Sequence, residues 1–157
     1  LLAVQAGTEV SYMNVGDQVR AGPVSWQALS PPSKGQTGDI NEDSLVLLLE
    51  EGGFQGLFTG DIGEERESAL AGRLADCDFL KVAHHGSRYS TGDGFLAEVR
   101  PEVAVASASA TNTYGHPHPD TLARLEKNRC HVFLTKDSGA VTLDIKDGMI
   151  RAETYLH

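Results

Sequence analysis

Three short apolar segments, each followed directly by polar and titratable residues, most constrain what this chain can fold into. They are residues 56–59, ending at Gly60-Asp61; residues 78–83, ending at His84-His85; and residues 103–107, which precede Asn112 to His118. Strands that alternate with helical patterns predict an α/β or α+β layered domain. Ligands of α/β sheets bind beyond the carboxyl ends of the strands. We therefore expect the three polar clusters to converge on one site.

The rest of the chain gives further strand and helix signals. Strands are predicted over 10–15 and 24–29, where Val24, Trp26 and Ala28 alternate with polar residues. The continuously apolar segment 44–50 predicts a strand buried on both faces. Residues 30–41 are rich in Pro, Gly and Ser and predict a loop within the domain. The remaining predictions are helices over 64–74, 93–99 and 119–128, and strands over 131–135, 140–145 and 149–154.

Composition narrows the function classes. The chain has 157 residues and a formal net charge of −9, because 22 acidic residues outnumber 13 basic ones. This charge excludes nucleic-acid binding through bulk charge alone. Two cysteines are too few for a disulfide-rich scaffold. The longest apolar run, Leu45–Leu49, is far shorter than the roughly 20 residues of a membrane span. Because the chain begins at Leu1, we expect it to be a piece of a longer protein.

Asp61 is the first candidate for chemistry. It follows a buried strand and a glycine, and a carboxylate in that position is a good ligand for a divalent metal. The alternative is that Asp61 caps the helix predicted to begin near Glu64, since Asp is a favoured N-cap residue. The sequence leaves both interpretations open.

The histidine pair His84-His85 is the second candidate. Imidazole is the commonest metal ligand and a common general acid or base near neutral pH. Side chains of adjacent residues point to opposite faces within a strand, but at a strand end both can turn towards one site. The alternative is a pair of exposed or hydrogen-bonded histidines without chemistry. The strand preceding Asp61 and the strand preceding the pair favour the metal interpretation.

The segment Asn112 to Asp120 is the third candidate. Its His116-Pro-His118-Pro-Asp120 pattern is similar to the start of a His-x-His-x-Asp-His metal motif, but Thr121 stands where the final histidine belongs and proline fills both variable positions. We favour a loop that presents Asn, Tyr and His to an anion or a phosphodiester. A rigid turn before the helix that opens at Pro119-Asp120 is compatible with that role.

Four blocks in order resemble the C-terminal metallo-β-lactamase-like domain of ComEC-type DNA-internalisation competence proteins. The resemblance runs from about Gly16 to the end of the chain. The blocks are Asn41-Glu42-Asp43-Ser44-Leu45-Val46-Leu47, Leu57-Phe58-Thr59-Gly60-Asp61-Ile62, Leu80-Lys81-Val82-Ala83-His84-His85-Gly86-Ser87 with Ser90, and Asn112-Thr113-Tyr114-Gly115-His116-Pro117. The third block also occurs in other hydrolases of this fold.

The resemblance implies an αβ/βα sandwich that binds one or two divalent ions, zinc or manganese. Asp61 matches the aspartate that bridges the two metals, and His85 matches the late histidine ligand. His84 and His116 are the implied catalytic residues, His84 contacting substrate or carrying a proton. The implied substrate-binding positions are Asn41, Ser87, Ser90, Asn112 and Tyr114.

One departure from the family pattern matters. The principal ligand motif, His-x-His-x-Asp-His, belongs upstream of Asn41, and residues 1–40 contain no histidine. A metal needs roughly four to six ligands, and this chain offers two or three. We therefore expect residues 1–157 to be part of a domain, the C-terminal portion of the fold.

The function hypothesis is a metal-dependent nuclease domain of a DNA-uptake protein that degrades the strand that is not imported. Its implied partners are DNA and the membrane-channel portion of the same polypeptide, with this domain on the extracytoplasmic side of the bacterial cell membrane. Two alternatives remain open: a hydrolase of a small ester or phosphodiester on the same fold, and a non-catalytic module.

Overall fold

A computed structural model describes residues 2–32 and 38–156. Its centre is a seven-stranded sheet in which the strands follow one another in chain order. The strands are β1 (Gln18–Ala21), β2 (Val24–Ser30), β3 (Val46–Glu51), β4 (Phe54–Phe58), β5 (Phe79–Lys81), β6 (Val103–Ala106) and β7 (His131–Leu134). β1 to β4 pair antiparallel, whereas β4 to β7 pair parallel.

Helices and a hairpin complete the fold. The helices are α1 (Leu2–Gln5), α2 (Glu64–Leu70), α3 (Asp93–Val99), α4 (Pro119–Lys127) and α5 (Thr135–Ser138), and the hairpin pairs β8 (Val141–Lys146) with β9 (Met149–Thr154). The α/β prediction is confirmed. Within the described ranges, no helix has the length and apolar character that crossing a membrane requires.

The two faces of the sheet are covered differently because side chains alternate along each strand. Leu57, Leu80 and Ala104 face one way and pack with residues of α2, α3 and α4 in the larger core. Phe79 and Val103 face the other way, where Leu143 and Ile150 of the hairpin pack against them. The first face thus carries the main core, and the second carries a smaller aromatic cluster.

Two strand predictions were wrong in part. Residues 10–15 form no strand, and the first strand begins only at Gln18. The segment 44–50 was predicted to be buried on both faces, but β3 begins at Val46 and Leu47 to Leu49 are only half-buried. The second face of the sheet is covered by the hairpin, which packs around Phe79 and Val103. β3 is therefore only partly covered on that face.

The other differences between prediction and structure concern where helices and strands begin and end. The helix predicted over 64–74 ends at Leu70, because Ala71 leaves the helical conformation and Gly72 has φ +73°. Ser30 belongs to β2 rather than to the predicted loop, and residues 33–37 of that loop lie outside the described residues. The helices α3 and α4 and the last three strands lie within one residue of their predicted bounds.

Candidate metal centre

The carboxyl ends of β4, β5 and β6 lie at one edge of the sheet, because these strands run parallel. The turn after β4 carries Asp61. Two loops lie beside it: the histidine loop, residues 83–92, and the tyrosine loop, residues 107–118. The Nε2 atom of His85 lies 3.7 Å from Oδ1 of Asp61. The ring centroids of His84 and His116 are 5.8 Å apart. The structure therefore brings side chains of all three sequence clusters together.

A tight turn positions Asp61. Gly60 adopts φ +58°, and a Cβ on it would lie 2.8 Å from Cβ of Ser44, so a larger residue does not fit. The backbone N–H of Asp61 donates to Oγ of Ser44 over 3.2 Å. The side chain of Asp61 is 42% exposed and faces His85.

The cap interpretation of Asp61 is wrong, because another carboxylate occupies the start of α2. Glu42 accepts hydrogen bonds from the backbone N–H groups of Gly63 at 2.9 Å and Arg66 at 2.8 Å. The N-cap residue itself, Gly63, has no side chain to contribute. Nothing in the sequence links Glu42 to a helix that begins 22 residues later, so sequence analysis missed this contact.

His85 is oriented by a backbone carbonyl. Its Nδ1 lies 2.7 Å from the carbonyl oxygen of Ser107, so Nδ1 carries the proton in the tautomer that this bond favours. The lone pair of Nε2 is then directed to the side of Asp61. Metal-ligating histidines typically donate their other ring N–H to a carbonyl or a carboxylate in this way.

An unusual backbone turns the two histidines to the site. His84, His85 and Gly86 have φ values of +47°, +55° and +83°. Gly86 packs against Pro117, and its carbonyl accepts the backbone N–H of His118 at 2.8 Å. The backbone N–H of His84 donates to the carbonyl of Gly60 at 3.1 Å. The two rings therefore escape the alternation of a strand: His85 lies beside Asp61, and His84 lies beside His116.

Buried contacts from α2 and α4 hold the histidine loop. Glu67 accepts the backbone N–H groups of Thr91 and Gly92. Arg124 donates to the carbonyls of Arg88, Ser90 and Thr91 over 2.9 to 3.1 Å. Thr121 donates to the carbonyl of Ser87 over 2.8 Å. Glu67 is 4% exposed, and burial raises its pKa from 4.5 to about 7. Sequence analysis missed these residues, because their partners lie 24 to 36 positions away.

The tyrosine loop is held mainly by its own asparagine. The Asn112 amide donates to the carbonyls of Ser109 and His116, and its oxygen accepts the N–H of His116 at 2.9 Å. Tyr114 stacks on His116 with ring centroids 5.9 Å apart, and Tyr114 is 81% exposed. Burial and the neighbouring histidines lower the pKa of His116, which favours the neutral form of its ring. Asn112 thus shapes the loop, whereas Tyr114 is open to a ligand.

The three remaining sequence candidates occupy different environments. Ser90 is fully buried, and its hydroxyl donates to the carbonyls of Ala83 and Ser87, so it shapes the histidine loop. Ser87 is 4% exposed but reaches a shallow cavity of about 330 Å³ that Asn41 and His84 also line. This cavity is acidic, because Asp39, Glu42, Glu64 and Glu65 contribute to its wall.

The His116-Pro-His118 pattern does not form a metal motif. His118 is the N-cap residue of α4, and its Nδ1 accepts the backbone N–H of Asp120 at 3.2 Å. His116 instead turns to His84 and Tyr114. The presentation of a ligand by this loop stays a prediction.

Lys81 adds a cation that the sequence did not single out. It ends β5, and its ammonium group donates to the carbonyl of Val82 at 3.2 Å. Burial lowers the pKa of Lys81, and the negative charge of Asp61 opposes this shift. Asp61 therefore has both His85 and a cation in its surroundings.

Comparison with known proteins places the chain in a family. It is 32% identical over 147 residues to ComE operon protein 3 of Bacillus subtilis, and the match covers 92% of the chain. It is 36% identical to Recombination protein 2 of Haemophilus influenzae and 34% identical to Competence protein ComA of Neisseria gonorrhoeae, over 76% and 78% of the chain. The chain belongs to the ComEC family of competence proteins.

This ComEC-family chain spans only part of its relatives. It corresponds to 19%, 15% and 18% of the lengths of these three proteins. No protein-family profile matches the chain. Among solved structures, a protein from Parabacteroides distasonis described as a metal-dependent hydrolase matches with a TM-score of 0.57. That match has 12% sequence identity and covers 85% of this chain and 60% of the other, and the predicted metallo-β-lactamase-like fold is thereby confirmed.

The donor chemistry at the edge of the sheet fits part of a metal site. Asp61 supplies a carboxylate and His85 an imidazole nitrogen, the donors that zinc and manganese accept. Over residues 2–32 and 38–156, no group of three or more His, Cys, Asp or Glu side chains is placed to hold a metal. The described chain thus offers an oriented pair of donors, and a complete coordination sphere needs roughly two more.

Proposed function

We propose that this chain is part of the metal-dependent nuclease domain of a DNA-uptake protein. The observation that carries the proposal is the Asp61–His85 pair, in which the Ser107 carbonyl fixes the histidine with its free nitrogen directed to the carboxylate. Membership of the ComEC family and a fold shared with a metal-dependent hydrolase support it. In the proposed protein the domain degrades the strand that is not imported, on the extracytoplasmic side of the bacterial cell membrane.

In this proposal Asp61 and His85 hold zinc or manganese together with ligands from outside residues 1–157. A bound divalent ion makes hydroxide available near neutral pH and polarises a phosphoryl oxygen. His85 is kept in the ligand tautomer by its bond to Ser107. In this proposal His116 and the neighbouring His84, whose ring centroids are 5.8 Å apart, carry protons between the attacking water and the leaving oxygen.

The test compares the chain alone with the longer polypeptide that carries it. For the chain alone, we expect weak Mn²⁺ or Zn²⁺ binding by titration calorimetry and no cleavage of DNA. For the longer polypeptide, we expect Mn²⁺-dependent cleavage of linear DNA that Asp61→Ala or His85→Ala reduces by at least about 100-fold, since even the loss of an indirect contact to a metal costs about 10- to 100-fold.

A matched control is His131→Ala, because His131 lies at the amino end of β7, away from the carboxyl ends of the parallel strands where the candidate site lies. Its activity should stay within twofold of the wild type. Cleavage that survives Asp61→Ala contradicts the ligand assignment. Cleavage by the chain alone contradicts the need for outside ligands. Turnover of a small phosphodiester or ester without DNA cleavage favours the small-substrate hydrolase, and no turnover of either favours the non-catalytic module.

A further inference from the structure

The histidine pair separates two cavities of opposite character. His84 lines the acidic cavity described above, which also contains Tyr89. His85 lines a second cavity, of about 210 Å³, together with Ala108, Ser109, Asn112, Tyr114 and His116. None of the side chains that line this second cavity is a carboxylate. Asp61 lies beside it, with Oδ1 3.7 Å from Nε2 of His85.

Tyr114 presents its ring in a way that burial does not explain. The ring is 81% exposed, so folding gains little from its apolar area. It is nevertheless held in place, because it stacks on His116 and because Asn112 fixes the backbone on both sides of the stack. An exposed aromatic ring held in one orientation binds a second planar ring with little loss of conformational entropy.

The size of the cavity limits the ligand. A volume of about 210 Å³ is below the roughly 300–1000 Å³ of cavities that enclose drug-sized molecules. It accommodates a single ring system rather than a whole nucleotide. Bases within a duplex have both faces covered by their neighbours, so only a base of a single strand or of an opened end offers a free face.

We propose that Tyr114 is a stacking platform for one base of single-stranded nucleic acid, next to the Asp61–His85 pair. The inference rests on the proposed nuclease function and names its substrate form. Stacking on an aromatic ring tolerates any base, so the platform selects for strandedness and not for sequence. The sugar-phosphate backbone then passes the Asp61–His85 pair.

Tyr89 provides the internal contrast. It is 71% exposed and lines the acidic cavity, and Arg88 lies over its ring at 5.5 Å from the centroid. Four carboxylates share its cavity. A polynucleotide is repelled there, and part of the ring face is already covered. Tyr89 is therefore a matched position that should not bind a base.

The test measures binding without metal, so that it is independent of cleavage. Fluorescence anisotropy of labelled oligo(dT), oligo(rU) and a duplex of equal length is recorded at low salt with EDTA. We expect the single strands to bind and the duplex to bind at least tenfold more weakly. Tyr114→Ala should weaken single-strand binding by about 5- to 150-fold, the effect of losing one base–aromatic stack.

The controls separate stacking from other causes. Tyr114→Phe keeps the ring and should stay within about twofold of the wild type, as should Tyr89→Ala. Equal losses for Tyr114→Ala and Tyr89→Ala, a loss for Tyr114→Phe as large as for alanine, equal duplex binding, or no binding of any single strand overturns the proposal. If Asp61→Ala abolishes cleavage while Tyr114→Ala leaves binding unchanged, the nuclease proposal stands and the platform fails.

Discussion

The histidine loop and the tyrosine loop lie side by side at the candidate site, but they are held by different means. The backbone of the histidine loop is bound from two helices by Glu67, Thr121 and Arg124. Within the loop, Ser90 is buried. The tyrosine loop is bonded chiefly to itself through Asn112, and half of its residues are exposed. The loop with the candidate ligand is thus built into the core, whereas the loop with the candidate substrate contacts is a surface structure.

The largest expected effect comes from replacing one glycine in each loop with alanine and comparing the loss of stability. Gly86→Ala should lower the free energy of unfolding by about 4 kcal/mol, from strain at positive φ together with overpacking. A Cβ at Gly86 would lie 2.5 Å from Cβ of Pro117, and the backbone has φ +83°. Gly115→Ala should cost only about 1 kcal/mol, since φ is +71° but no atom lies within 4 Å. Urea denaturation measures both, and equal effects would remove the contrast.

The next effect is a pH dependence of stability that comes from Glu67, the α2 residue that binds the histidine loop. Glu67 has its pKa raised from 4.5 to about 7 by burial, so the folded chain binds a proton that the unfolded chain releases. Stability from this group is present below pH 4.5 and is lost as the pH rises through 7, by about 3 kcal/mol. Glu64 raises the pKa further, and Arg124 and the two backbone N–H groups oppose the shift.

The measurement compares unfolding of the wild type and Glu67→Gln between pH 4.5 and 8. The free energy of unfolding of the wild type minus that of the glutamine variant should fall as the pH rises. Because both proteins contain the same histidines, their titration cancels in this difference. Asn112→Asp, in the other loop, should not reproduce the trend. A difference that stays constant with pH would show that Glu67 is ionised throughout.

The smallest effect compares the two principal side-chain clamps. Arg124→Ala leaves three loop carbonyls without their donor and should cost about 2 kcal/mol. Asn112→Ala should cost about 1 kcal/mol, because its three bonds are exposed or only partly buried and water can replace some of them. Arg124→Lys should recover little, since an ammonium group cannot reproduce the guanidinium fork. Thermal unfolding orders the variants, and the reverse order would contradict the comparison.

Much of the fold follows from local pattern. Apolar period and helix signals located β2, β4, β6, α3 and α4 close to their observed bounds, because these elements are amphipathic or continuously apolar. The pattern failed over residues 10–15, where a valine at each end did not outweigh the lack of a pairing partner. It also overstated the burial of β3, since burial depends on what packs against the second face.

The sequence by itself determined which residues are candidates for chemistry and that they follow strand ends: Asp61, His84, His85 and His116. Only the tertiary structure decided their surroundings. It removed Asp61 from the helix cap by placing Glu42 there, buried Ser90, and turned His85 to Asp61 and His84 to His116. The physical reason is the sequence distance between interacting residues. Strand ends are set by neighbouring residues, whereas the orientation and burial of a side chain depend on residues distant in sequence, such as Ser107, Pro117 and Arg124.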